Sequence, residues 1–324
     1  MRVLVAGGAG YIGSVVTAAL LAGGHEVTVL DDLSTGHADA VPEGAALAEV
    51  SLHDSAPVLA DVRPEAVLHF AAKSLVGQSQ ESPELYWENN VGGSLALLEA
   101  MRAADCRRIV FSSTAATYGE PEEVPILETA PTRPTNTYGA SKLAVDAMLT
   151  SYAVAYDFAA VSLRYFNVGG AAYGRGERHA TETHLIPIAL QVAAGQRGSM
   201  TVYGDDYPTP DGTCIRDYVH VGDIAEAHVA ALQQLASGED SRPFRVYNIG
   251  RGEGSSVLDV IAEIGAVTGL DATPEFVDRR PGDPARIVGG VDRIRADLGW
   301  TARYDLHDMV ASAWAGWVAR HGTP

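Results

Sequence analysis

The chain has 324 residues, of which 47% are hydrophobic and 20% charged, and its 41 Asp and Glu against 23 Lys and Arg leave a net charge of −18. Such a charge repels nucleic acid and anionic lipid, so neither is an expected partner, and an anionic substrate needs a local cationic pocket. Cys106 and Cys214 make no disulfide framework, and no apolar run approaches the ~20 residues that span a bilayer. Arg2 precedes an apolar segment with no signal-peptide pattern, so a reduced, cytoplasmic protein is expected.

The first apolar run, residues 3–6, suits a parallel strand buried on both faces. A glycine-rich turn follows, then a helical stretch from Tyr11 to Ala22 that Gly23-Gly24 stops, then a second strand over 25–30 that closes at Asp31-Asp32. This is one βαβ unit. The alternation continues with strands at 66–70 and 108–111, a helix over 91–104 between them, a long helix at 143–156 and a strand at 160–165. It predicts an α/β chain built on a Rossmann-type, doubly wound parallel sheet with a smaller C-terminal lobe. The pattern loosens after Asn167, which divides the chain into a dinucleotide-binding domain, 1–168, and a substrate-binding lobe, 169–324. A buried-strand pattern over 246–250 has the chain return to the sheet around 214–250.

Gly7, Gly10 and Gly13 carry the first chemical signal. They let the chain turn tightly, bring backbone close to a pyrophosphate, and aim the N-terminus of the helix opened by Tyr11 and Ile12 at its charge. Asp31 stands 18 residues past Gly13, where a carboxylate accepts from a ribose 2′-hydroxyl and repels a 2′-phosphate. No Arg or Lys lies within 31–37 to hold such a phosphate, so NAD is the expected cofactor.

Tyr138 and Lys142 form the second signal. Residues four apart share a helix face, and an ammonium beside a phenol is expected to lower the phenol's pKa from about 10. Such a tyrosine exchanges a hydroxyl proton while hydride moves to or from nicotinamide. Thr114 follows the strand at 108–111, at the sheet edge where open α/β folds bind ligands, and its hydroxyl is placed to bond the reacting oxygen. His179 and His184 lack zinc-site spacing and an evident acidic or thiol partner, so no metal is expected.

These residues, with His69-Phe-Ala-Ala72, Asn89-Asn90, Ser112–Gly119, Arg164–Asn167, Tyr203–Thr213, Arg216–His220 and Arg279–Asp283, resemble the extended short-chain dehydrogenase/reductase superfamily and, within it, the UDP-galactose 4-epimerase group. The resemblance runs over nearly the whole chain. It implies that Tyr138, Lys142 and Thr114 are catalytic and that the substrate is a UDP-sugar. It further implies that Tyr11, Ile12, Asp32, Ser51, Leu52, Phe70, Ala71, Ala72, Lys73, Asn90, Ser112 and Tyr165 line NAD. Asn167, His184, Leu185, Thr201, Tyr203, Arg216, Arg280, Asp283 and Ile287 would hold the substrate. Two arginines suit a pyrophosphate unaided by family knowledge. Tyr203 offers a face for uracil or is a strand aromatic, and Asp283 accepts from a ribose or shapes a turn. The resemblance also implies a homodimer formed by two helices per subunit.

Three positions depart from the family pattern. Lys73 stands one place earlier than the relatives' lysine, with Ser74 in its slot; Ser51 replaces an adenine-contacting carboxylate; and Ile287 stands where relatives place Tyr or Cys near the sugar C2 substituent. Ile is smaller than Tyr, so partial tolerance of N-acetylated UDP-hexoses is expected. Ala115-Ala116 after Thr114 cannot carry the protons a 4,6-dehydratase needs. A UDP-pentose 4-epimerase stays open. A silent NAD-binding regulator would be free to lose the Tyr–Lys pair, which this chain retains, and a plain reductase leaves Arg216 and Arg280 without a use.

Overall fold

The computed structural model describes residues 1–238, 243–280 and 282–324. Seven strands form the central sheet: Arg2–Ala6 (β1), Glu26–Asp31 (β2), Ala46–Glu49 (β3), Ala66–His69 (β4), Arg108–Thr114 (β5), Ala159–Tyr165 (β6) and Phe244–Ile249 (β7). Their order is β7-β6-β5-β4-β1-β2-β3, and every pairing is parallel. The order reverses between β1 and β4. That is the switch point beside which doubly wound sheets open a ligand crevice at the carboxyl ends of their strands.

The pleat explains why both faces are covered. In β1, Val3 and Val5 pack with Val15, Val16 and Leu20 of the helix Tyr11–Ala22 and with Ile224 and Leu232 of the helix Val221–Ser237. Leu4 and Ala6 point the other way, into a second core with Leu97 and Leu98 of Gly93–Ala103 and Leu149 of Thr137–Tyr156. Alternate residues thus feed opposite layers, and an unbroken apolar strand is the sequence of a two-sided sheet.

A third core gathers Ile186, Leu190, Met200, Tyr218, Val260, Ile264 and Met309 in the smaller lobe. Two short sheets there shape the rim of the crevice. Arg286–Ile287 pairs in parallel with Ile215–Arg216, and Tyr218–His220 pairs with Asn167–Gly169 directly after β6. The strand β3 and the helix Ala56–Val62 were not legible as elements in the sequence. The helix bearing Tyr138 starts at Thr137, six residues before the predicted start at 143, because the Asn136 carboxamide oxygen accepts from the Gly139 N–H at 2.8 Å and caps it.

Candidate active site

A cavity of 2130 Å³ runs along the carboxyl edge of the sheet and into the smaller lobe. Its floor at one end is the glycine turn. Gly7 adopts φ +82°, and a Cβ there would meet the Ala71 backbone nitrogen at 2.3 Å; a Cβ on Gly13 would meet the Gly7 carbonyl oxygen at 2.1 Å. Both glycines are therefore required by the chain itself. Gly10 differs. Its φ of −81° and ψ of 177° suit any residue, and a Cβ there would meet nothing nearer than the Gly7 oxygen at 3.5 Å. The polypeptide leaves room at Gly10 on the side facing the cavity, which fits a dinucleotide phosphate lying on the turn.

Asp31 ends β2 and is buried, at 8% exposure. It accepts from the Ala9 and Leu33 N–H groups, each at 2.9 Å. Burial raises its pKa and those two bonds oppose the rise, so the carboxylate is fixed in orientation at the cavity wall. Asp32 accepts from Ser34 N–H at 2.9 Å and lines the same wall, as do Tyr11, Ile12, Ser51 and Leu52. Ser51 donates to Asp54 at 2.7 Å, so a carboxylate stands beside the position where the family pattern has its own. Phe70, Ala71, Ala72 and Lys73 continue the wall after β4, and Ser112 and Tyr165 form its deep end.

Asn90 was expected on the wall and is not there. It is 1% exposed, its oxygen accepts from Lys73 N–H at 2.8 Å, and its NH₂ donates to the Lys73 carbonyl and Ser141 Oγ at 3.0 Å. It shapes the 70–74 loop from behind.

Tyr138, Lys142 and Thr114 all face the cavity. Lys142 Nζ donates to the Ser112 carbonyl at 2.8 Å and lies 4.8 Å over the Phe111 ring. Burial drives its pKa down to about 7, opposed by Asp146. The expectation that the ammonium lowers the Tyr138 pKa is corrected: burial pushes that phenol up to about 12, and the opposing influence is a hydrogen bond with Thr114. Desolvation of the anionic form dominates, and Lys142 is not among the groups that oppose it.

At the far end, Arg216 forms an ion pair with Asp283, and its Nη1 also donates to the Ile215 and Pro284 carbonyls at 2.9 Å. Arg216, Arg280, Asp283, Ile287, Asn167 and His184 line the cavity. Three expected substrate residues do not. Tyr203 stands behind Arg280, whose guanidinium covers one face of its ring at 3.7 Å. Thr201 is exposed on the strand Met200–Tyr203, paired with Glu275. Leu185 opens the helix Leu185–Ala193 and packs against the third core.

One grouping escaped the sequence reading. Glu177 and Glu182 converge on His179 and His184, with Glu177 Oε1 2.9 Å from His179 Nδ1 and 2.7 Å from His184 Nδ1, and Glu182 Oε1 2.8 Å from His184 Nδ1. The histidines therefore do have acidic partners. The signal available was the repeat Glu177-x-His179 and Glu182-x-His184. Against a burial cost that lowers it, bonds to both glutamates carry the His184 pKa up to about 10.

Residues 3–250 match the sequence model of the NAD dependent epimerase/dehydratase family. The UDP-glucose 4-epimerase of Corynebacterium glutamicum is 51% identical over 317 residues, 97% of this chain and 95% of that one. The structure of UDP-glucose 4-epimerase from Brucella ovis in complex with NAD superposes with a TM-score of 0.94 at 42% identity, covering 97% of each chain. That from Stenotrophomonas maltophila, with bound NAD and formylated UDP-arabinopyranose, gives 0.94 at 40% identity over 98% of each. The glycine turn, the carboxylate ending β2 and the near full-length likeness agree, and the chain belongs to the NAD dependent epimerase/dehydratase family.

Proposed function

We propose that the chain interconverts UDP-galactose and UDP-glucose by oxidation and re-reduction at sugar C4, with NAD as its resident cofactor. The observation that carries this reading is one cavity with Tyr138, Lys142 and Thr114 at its middle, the glycine turn and Asp31 at one end, and Arg216 and Arg280 at the other. In this reading residues 1–168 hold NAD and residues 169–324 hold the UDP-sugar. Bound along the glycine turn and Asp31, NAD would supply the hydride acceptor and donor for C4.

Tyr138 takes the proton of the sugar 4-hydroxyl as C4 is oxidised and gives it back on reduction. Burial holds its phenol near 12, so the proton transfer needs positive charge within reach, and Lys142, on the same helix face, is the protein's own cation there. Thr114 donates to or accepts from the same oxygen and holds it in line. The 4-keto sugar must turn over in place, and the two arginines anchor the diphosphate while the hexose end stays free to rotate. Ala115 and Ala116 line the same wall and carry no proton, which disfavours elimination chemistry.

Ile287 lines the sugar end, so N-acetylated UDP-hexoses are a second substrate class. UDP-pentoses are a third, supported by the formylated UDP-arabinopyranose bound in the Stenotrophomonas relative. We further propose a homodimer through the helices Gly93–Ala103 and Thr137–Tyr156, which leave Leu95 and Val154 at 45% and 78% exposure, and a cytoplasmic location. Among the described residues no helix is long and apolar enough to cross a membrane. A coupled assay with UDP-galactose, UDP-GlcNAc and UDP-arabinose tests the substrate reading. Turnover of UDP-galactose to UDP-glucose is expected, and its absence from NAD-loaded protein rejects the proposal.

A further inference from the structure

Residues 177–184 carry four metal-type donors in the order Glu-x-His-x-x-Glu-x-His, and the fold draws them together. One ligand atom each from Glu177, His179, Glu182 and His184 lies within 4.8 Å of every other. We propose that these four side chains form a site for one divalent transition cation of the zinc type, bound through the two imidazole Nδ1 atoms and one oxygen of each carboxylate.

The donor set selects the class of ion. Two imidazoles with two carboxylates suit a four-coordinate zinc-like cation, whereas calcium and magnesium take oxygen ligands and keep more of them. The geometry is close to what binding needs. Three nitrogen–oxygen separations are 2.7, 2.8 and 2.9 Å. Tetrahedral bonds of about 2.0–2.1 Å place neighbouring donors roughly 3.3 Å apart, so these three pairs have to open by about half an ångström and the wider pairs, which reach up to 4.8 Å, have to close. Both carboxylates are withdrawn from water, at 8% and 7% side-chain exposure, while the imidazoles at 29% and 44% leave a way in.

The backbone around the cluster is held from outside, as ligating segments usually are. The Glu177 carbonyl accepts from Arg320 Nη1 at 3.1 Å. Arg178 pairs with both oxygens of Asp39 at 2.8 and 2.6 Å, and its carbonyl lies 3.1 Å from His37 Nε2. Glu182 Oε1 also accepts from the Thr183 and His184 N–H groups at 2.8 Å, which fixes its direction. The segment therefore bridges the loop after Asp31 to the last helix, across the cofactor end of the cavity. Four protein ligands leave no open position, so the ion acts as a clasp on this segment and takes no part in the chemistry. The assignment removes His184 from the sugar-binding set.

The test is metal stoichiometry on NAD-loaded protein, stripped with a chelator and dialysed against ZnCl₂, and the visible spectrum after loading Co²⁺ instead. Wild type and H307A, whose imidazole pairs with Glu263 elsewhere, are expected to hold one Zn²⁺ per chain and to show the intense bands of four-coordinate cobalt. H179A and E182Q are expected to lose both. NAD content reports whether each variant has folded; should both variants fail, the wild-type stoichiometry and cobalt spectrum alone decide. No retained Zn²⁺ in the wild type, six-coordinate cobalt, or full retention in folded H179A overturns the site. The readout is metal and not turnover, so it stands or falls separately from the epimerase reading.

Discussion

Asp146 lies one helical turn beyond Lys142, yet the two do not pair: Asp146 bonds Arg164 at 2.9 Å and Ser162 Oγ at 2.6 Å, while Lys142 Nζ donates to the Ser112 carbonyl. The carboxylate raises the lysine's proton affinity through space without occupying it. The ammonium is thus kept for whatever enters the cavity.

That arrangement separates two substitutions four residues apart. Asp146→Ala leaves Arg164 buried and uncompensated, and is expected to lower stability by about 3–5 kcal/mol. Lys142→Met removes a buried charge that has no carboxylate partner at bonding distance, so stability is expected to stay within about 1 kcal/mol while turnover collapses. Denaturant midpoints with parallel turnover assays check both. A K142M protein as unstable as D146A would contradict the division of labour.

The glycine turn makes a second separation. Gly13→Ala drives a Cβ to 2.1 Å from the Gly7 oxygen and is expected to yield misfolded protein. Gly10→Ala fits the polypeptide and is expected to leave the fold intact, or firmer by up to about 1 kcal/mol, while losing NAD. Bound NAD measured on well-folded G10A would settle whether the empty space at that residue belongs to the cofactor.

Acid stability follows from three buried histidines. Burial lowers His69 to about 3 and His220 and His228 to about 4, each from 6.5. Burial disfavours the charged form of all three rings, and the His220 ring must also be neutral at Nδ1, which accepts from the Gly222 N–H. The unfolded chain takes up these protons below pH 6.5 and the folded one does not, so stability falls as pH drops from about 6.5 towards 4. At pH 5 each costs roughly 2 kcal/mol relative to pH 7. Asp217, raised to about 6 by burial, binds its proton earlier in the folded state and offsets roughly 1 kcal/mol of this. The net expectation is a lower unfolding midpoint at pH 5 than at pH 7; an unchanged midpoint would show the rings are not buried neutral.

Ile287→Tyr fills the sugar end beside Arg216, its partner across the short parallel pairing. UDP-GlcNAc turnover is expected to fall at least tenfold more than UDP-galactose turnover, the scale of ~1–3 kcal/mol for a steric change in a pocket. Equal effects on both substrates would remove Ile287 from the specificity argument.

The parallel sheet was legible because its strands read as unbroken apolar runs and its turns as glycine clusters. Strand β3, Ala46–Glu49, is mostly exposed at the sheet edge, and its apolar run over 45–48 is three alanines and one leucine, with no β-branched residue to mark it as a strand. Of the site, the residues that end strands were readable, since strand ends are where open sheets bind ligands. Asn90 and Tyr203 belong to the same motifs, but a motif does not tell a wall residue from its buttress: Asn90 holds the loop behind the wall, and Tyr203 carries Arg280. The tyrosine pKa was misjudged because spacing reports a neighbour's charge and not the burial that opposes it. The histidine pair was dismissed because convergence of Glu177 and Glu182 depends on a loop fold that periodicity does not encode.

The account rests on Tyr138 as the group that moves the proton. Turnover of Tyr138→Phe with UDP-galactose, measured on protein whose bound NAD has been quantified, tests it most directly. The account predicts full NAD occupancy and a rate lower by about 10²–10⁴-fold. A NAD-loaded Y138F enzyme turning over at near the wild-type rate would contradict it.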